Sequence, residues 1–219
     1  MRVKEFVSLE KRLEQIFQEF AVKDQLMILQ PTEHTLRGFH FDGSSFDKKS
    51  FYVNAFFMPL YVPAEQIHFT FGHRIRDEKG DRWSIEMPRL EFILRETMRK
   101  ELEFLRTLQT LQGVAGALET LTQPNDVDYV NPHCYEAFAY TLAKIGDHSR
   151  ALDVIEMLLK RANLAVAWEN EIASRAQFIG ATLRENPKKA DAQLAAWAIE
   201  NVSKLGLKNF ISADEAHKN

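Results

Sequence analysis

Apolar residues at Val7, Leu9, Leu13, Ile16, Phe17 and Phe20 recur at three- and four-residue spacing, the period of an amphipathic helix. Ser8 stands where a cap is wanted, so a helix from about Leu9 to Val22 is expected, with one apolar face to cover. The pattern then changes. Leu26–Leu29, Phe39–Phe41, Phe51–Met58 and Ile67–Phe71 are short runs rich in aromatic and β-branched residues, which favour strands. Pro31, the Asp42-Gly43-Ser44-Ser45 group, Pro59 and Pro63 separate them as turn formers. Short connections imply antiparallel pairing, and Arg82-Trp83-Ser84-Ile85 is read as a last short strand after the polar turn Arg76–Asp81.

From Pro88 the helical period returns and holds to about Leu121, through Leu90, Leu94, Met98, Leu102, Leu105 and Val114. Pairs four apart, Glu91/Arg95, Glu96/Lys100 and Arg99/Glu103, support the solvent face. Pro88 suits a first helical turn, and a break or bend is expected at Gly113 or Gly116. Gln123–Pro132 carries Pro124, Asn125, Asp126, Asn131 and Pro132 and reads as a linker. Beyond it, helices are expected near His133–Ile145, Ser149–Ala162, Val166–Arg184 and Lys188–Leu205, with Trp168 and Trp197 as core anchors.

The fold class is therefore α+β. An N-terminal helix lies on an antiparallel sheet of four or five strands in residues 1–87, a long connecting helix spans 88–123, and an all-helical domain of about four helices fills 124–219.

Composition narrows the functional classes. The apolar fraction of 45% and charged fraction of 27% are those of a folded globular chain. The net charge of −3 is spread evenly, with 17 basic and 18 acidic residues in 1–123 and 11 and 13 in 124–219. Neither part has the basic excess that phosphate backbones or anionic lipids require, so neither nucleic acid nor membrane is expected as a partner. Cys134 is the single cysteine, which excludes an internal disulfide and reads as a small buried hydrophobe. Charges at Lys4, Glu5, Glu10, Lys11, Arg12 and Glu14 interrupt any leader-like apolar run, and a cytoplasmic location is expected.

Motifs that carry chemistry are sparse. There is no Gly-x-Ser-x-Gly elbow, phosphate-binding Gly-rich loop or Gly-x-Gly-x-x-Gly, and no cofactor is expected. The histidines at 34, 40, 68, 73, 133, 148 and 217 show no zinc-ligand spacing. His68 and His73, five apart, point to opposite faces of a regular strand, so no metal site is expected either.

Three segments resemble known families. Tyr135–Asn163, with Ala139 and Leu142, a Gly146-Asp147 turn, then Ala151 and Ile155, resembles one tetratricopeptide repeat. The small residues of that pattern let two antiparallel helices approach closely, Leu158 departs from it, and no second copy follows at the family period. The resemblance implies a helical surface that binds a peptide. His68-Phe69-Thr70 resembles half of the signature of the two-histidine phosphoesterases, in which one histidine takes a proton and the other gives one. No second His-x-Thr or His-x-Ser is present. Leu36–Ile75 resembles segments of uncharacterised bacterial proteins found near defence or toxin-immunity genes, and brings no site residues with it.

The expected function is thus a non-enzymatic protein-interaction module, of an immunity or adaptor kind, whose partner is another protein or a second copy in a homodimer. Its candidate contact residues are Tyr52, Phe56 and Tyr61 on the aromatic-rich sheet, and Tyr140 and Arg161 on the helical hairpin. The alternative is a phosphodiesterase-like hydrolase centred on His68 and Thr70 and assisted by His73 or Arg74.

Overall fold

A computed structural model describes residues 4–45, 47–77, 80–123 and 131–211. Its elements, in chain order, are α1 (Lys4–Ile16), β1 (Phe20–Lys23), β2 (Leu26–Leu29), β3 (Thr35–Gly43), β4 (Ser50–Pro59), β5 (Phe71–Arg74), β6 (Trp83–Ser84), α2 (Leu90–Thr107), α3 (Leu111–Thr122), α4 (Pro132–Lys144), α5 (His148–Arg161), α6 (Ala167–Glu185) and α7 (Pro187–Lys204). The α+β class is as expected: an antiparallel sheet followed by helices. The chain forms two compact units. One holds the described residues up to Met58, His68–Thr107 and those from Asn209, and the other holds Pro59–Ile67 and Leu108–Lys208.

In the sheet unit the strand order is β1-β2-β3-β4-β5, with β6 pairing β4 as well. Period-two alternation sends Phe39, Phe41, Phe51 and Phe57 into the core. Phe20 meets Phe39 at 5.5 Å, Phe41 stacks on Phe51, and Phe57 sits between Phe71 and Phe104 of α2. Leu9 and Leu13 of α1 are buried with them.

Four expectations for residues 1–123 are corrected. The first helix stops at Ile16, and Phe20–Lys23 is a strand. The three-residue step from Phe17 to Phe20 suits a helix but is equally made by a turn entering a strand. The hairpin to β2 turns at Asp24, whose φ of 53° is left-handed, a conformation aspartate tolerates. Residues Ile67–Thr70 are irregular and β5 begins only at Phe71, so the His68-x-Thr70 motif is not on a strand. The long connecting helix is two helices, broken at Leu108–Thr110 rather than at Gly113 or Gly116. Leu108, which belongs to the helical unit, is fully buried, and Thr110 caps α3 by accepting the backbone N–H of Gly113 at 3.1 Å. Pro88 lies just before α2 rather than in its first turn. Of the linker, Pro124, Asn125 and Asp126 lie outside the described residues.

The helical unit contains α3 to α7, and its helices after the linker lie within one or two residues of the expected bounds. The starts of α4, α5 and α7 follow from capping chemistry: Asn131 before Pro132, Asp147, and Asn186 before Pro187 each accept backbone N–H groups of the first turn. At Gly146, φ is +86°. This left-handed residue ends α4 and lets the N–H of Asp147 reach the carbonyl of Leu142. Helix α4 is the centre of the unit. Every residue from Cys134 to Ala143 is buried, and α3, α5, α6 and α7 all pack on it. Ala139 and Ala151 are fully buried. Burial pushes the Cys134 thiol up to about 11, which suits a packing role and not a nucleophile.

Candidate functional site

The residues of the hydrolase alternative are held in separate surroundings. His68 is half-buried, its ring edge-on to Phe71 at 5.6 Å, and Thr70 is exposed. His73 Nε2 lies 2.9 Å from Glu101 Oε2 of α2. That hydrogen bond, opposed by partial burial, raises the histidine pKa. Arg74 is the next residue on β5, opposite Asn54 where His73 is opposite Ala55, so the two side chains leave opposite faces. Its guanidinium bonds to Asp81 at 3.2 Å and lies 4.0 Å above the Tyr52 ring. His73 and Arg74 are thus each occupied by a carboxylate of their own.

On the sheet, the expected contact face is closed at its centre. Phe56 is fully buried beneath Phe69, edge to face at 5.0 Å, and Phe69 in turn stacks flat on His40 at 4.0 Å. The irregular segment that displaced the expected strand is the cover. Tyr52 stays half-exposed under Arg74. Among the described residues no group of three or more His, Cys, Asp or Glu could hold a metal ion. No helix there is long and apolar enough to cross a membrane.

The helical unit holds two constellations that sequence reasoning missed. The first grips an extended stretch of the chain itself. Asn201 of α7, almost fully buried, donates Nδ2–H to the carbonyls of Leu60 at 2.7 Å and Val62 at 2.6 Å, and its Oδ1 accepts the Ala64 N–H at 3.2 Å. One amide satisfies three backbone groups, reading the main chain and not the side chains. Between these contacts Tyr61 is buried, its hydroxyl 2.6 Å from Thr141 Oγ1 and its ring 5.7 Å from Lys144 Nζ. Burial raises its phenol pKa, and the Thr141 bond only partly opposes this. Tyr61 is therefore an internal anchor, not an open contact residue. Asn201→Leu should lower unfolding free energy by about 2–3 kcal/mol, because buried carbonyls lose their donors. Asn201→Asp, nearly the same shape but with no donor, should cost at least as much. Urea denaturation of both variants checks this, and an Asn201→Asp midpoint equal to wild type would refute it.

The second constellation joins α4 to α6. The Glu136 carboxylate, with no exposed surface, takes a bidentate pair from Arg175, Nε to Oε1 at 2.8 Å and Nη2 to Oε2 at 3.1 Å. Tyr140 donates its hydroxyl to Oε1 at 3.3 Å, and His133 Nδ1 lies 3.8 Å from Oε2. The Tyr140 pKa is raised by burial first and by the neighbouring carboxylate second. Burial opposes the Arg175 charge, and bonding to Glu136 more than restores it. The signal in the sequence was the spacing His133-Glu136-Tyr140, which lines one side of α4.

This cluster continues to the surface. The His133 ring stacks on the Trp168 indole, 5.4 Å apart and within 10° of parallel. Trp168 is no core anchor, with 41% of its surface exposed, and Trp197 is half-buried against Tyr140. Arg161 is exposed, its guanidinium 5.7 Å over the Tyr135 ring. Tyr140 and Arg161, expected together as contact residues of the helical hairpin, are placed differently, one inside and one out. No protein-family model, curated protein or solved structure matches this chain.

Proposed function

We propose that the chain is a non-enzymatic protein-interaction module, of an adaptor or immunity kind, whose helical unit carries the contact surface. The observation that supports it most is Trp168, solvent-exposed yet held in one orientation by the His133 ring. A two-torsion aromatic fixed before binding loses little entropy on contact, which is why such residues dominate interface energetics.

Its surroundings support the same reading. Among the described residues, five of the eight exposed large apolar side chains fall between Met157 and Phe178, including Leu159, Leu164 at 60% and Trp168. Arg161 lies in the same stretch and adds a cation of the type enriched at interfaces. The near-neutral charge fits a protein partner or a second copy better than a polyanion.

The test is affinity purification from the source cell, with sedimentation of the purified protein to detect self-association. Wild type should retain a partner or dimerise. Trp168→Ala combined with Leu164→Ser should weaken that association by about 30-fold or more, the scale of losing an interface hot spot. A wild type that recovers nothing and sediments as a monomer, or a double variant that binds as wild type does, would overturn the reading.

A further inference from the structure

Arg37 is the third residue of β3 and is 98% removed from solvent. Thr35, two residues earlier, is 99% buried, and strand alternation puts both side chains on one face of the sheet. Neither Arg37 Nε nor Thr35 Oγ1 has a hydrogen-bond partner. No carboxylate among the described residues forms an ion pair with Arg37. Glu33 favours its charge only from a distance, while burial works against it more strongly.

This arrangement is physically incomplete. A guanidinium stays protonated in proteins, so burial does not remove its charge. An uncompensated buried ion is costly, and natural cores pair such groups and satisfy their donors. The site instead offers the donors of one guanidinium and a hydroxyl two positions away on the same face. At about 3.3 Å per residue their Cα atoms stand roughly 7 Å apart along the strand. Planar guanidinium donors match the paired oxygens of an oxyanion, and a hydroxyl completes a third contact. Water would hydrate the cation without neutralising it.

We propose that Arg37 and Thr35 form a binding site for a small oxyanion, a phosphate or carboxylate group, inside the sheet unit. The experiment measures thermal unfolding of the full chain in inorganic phosphate, in acetate and in chloride at matched ionic strength, with calorimetric titration of the anion that stabilises. Wild type should gain roughly 5–10 °C at an anion concentration about 100-fold above the dissociation constant. A gain in phosphate alone assigns a phosphate site, and a gain in acetate alone assigns a carboxylate site.

Arg37→Met should lose the anion-dependent gain and be no less stable than wild type in chloride, since removing an unpaired buried charge relieves a penalty. Thr35→Val should keep a reduced gain. If Arg37→Met does not fold, Arg37→Lys serves instead. It retains the charge without the planar fork and should bind the same anion at least 10-fold more weakly by titration. A wild type whose midpoint shifts by less than about 1 °C in both anions, or an Arg37 variant with the wild-type response, overturns the proposal.

Discussion

Gly38→Ala is expected to disrupt the sheet unit, with a cost of about 4 kcal/mol or more, at the extreme of single substitutions. A Cβ built on Gly38 would lie 1.9 Å from the Met27 carbonyl oxygen, 3.0 Å from its carbon and 3.2 Å from Ile28 Cα. All three are backbone atoms of β2, the strand to which Gly38 is paired opposite Ile28. No rotamer relieves the clash, because the position of Cβ is fixed by the main chain. Relief requires β2 and β3 to part, and that opens the ladder that carries Met27, Ile28 and Phe39, all buried.

Gly43→Ala is the control, since a Cβ there meets nothing within 4 Å, and it should stay within about 1 kcal/mol of wild type. Soluble yield, circular dichroism and urea midpoints of the two variants decide the matter. A Gly38→Ala protein with the stability of the Gly43→Ala protein would show that the strands approach less closely than described.

That clash also marks a limit of what the sequence discloses. Gly38 lies just before a stretch that reads as aromatic strand, Phe39–Phe41, and nothing local says that a neighbouring backbone sits where a side chain would go. Local signals worked best where a single segment carries its own instructions. Helices α4, α5 and α7 begin at Asn131, Asp147 and Asn186, and α4 ends at Gly146, so cap and period agree. They failed where one pattern serves two structures. Ile16, Phe17 and Phe20 suit a helix and also a helix end running into a strand. Gln66–Phe71 has the composition of a strand, yet Phe69 is used as a lid on Phe56. Trp168 falls four residues before buried Ile172, a core spacing, but the helix start leaves its indole at the surface on His133.

Least legible were the polar pairings across long separations. Asn201 meets Leu60 and Val62 some 140 residues away, and only tertiary structure brings an amide to those carbonyls. The same holds for Arg37, whose isolation becomes visible only once its neighbours are known. For the candidate contact residues the consequence is direct. Phe56, Tyr61 and Tyr140 carry the aromatic chemistry of an interface and are used as anchors inside their units. Arg161 stays accessible, and Tyr52 stays half-exposed.

The Glu136–Arg175 pair gives the second large effect, and it bears on the proposed contact surface. Arg175→Met should destabilise the helical unit by about 3–5 kcal/mol, the cost of leaving a buried carboxylate without its cation. Tyr140 and His133 cannot replace a bidentate guanidinium, because one offers a single hydroxyl at 3.3 Å and the other stands 3.8 Å away. Much of that loss is a penalty on the orphaned Glu136, so removing the carboxylate too should restore most of it. Glu136→Met with Arg175→Met is expected to lie within about 1–2 kcal/mol of wild type, since apolar replacement of a buried pair is often near neutral. A double-mutant cycle by urea denaturation reads the coupling directly. If the single and double variants lose the same amount, the pair is not coupled as the geometry requires. The functional readout separates stability from recognition. The double variant keeps α4 against α6 and leaves the His133–Trp168 stack, so it should bind a partner like wild type, whereas Trp168→Ala should lose the partner while unfolding at nearly the wild-type midpoint.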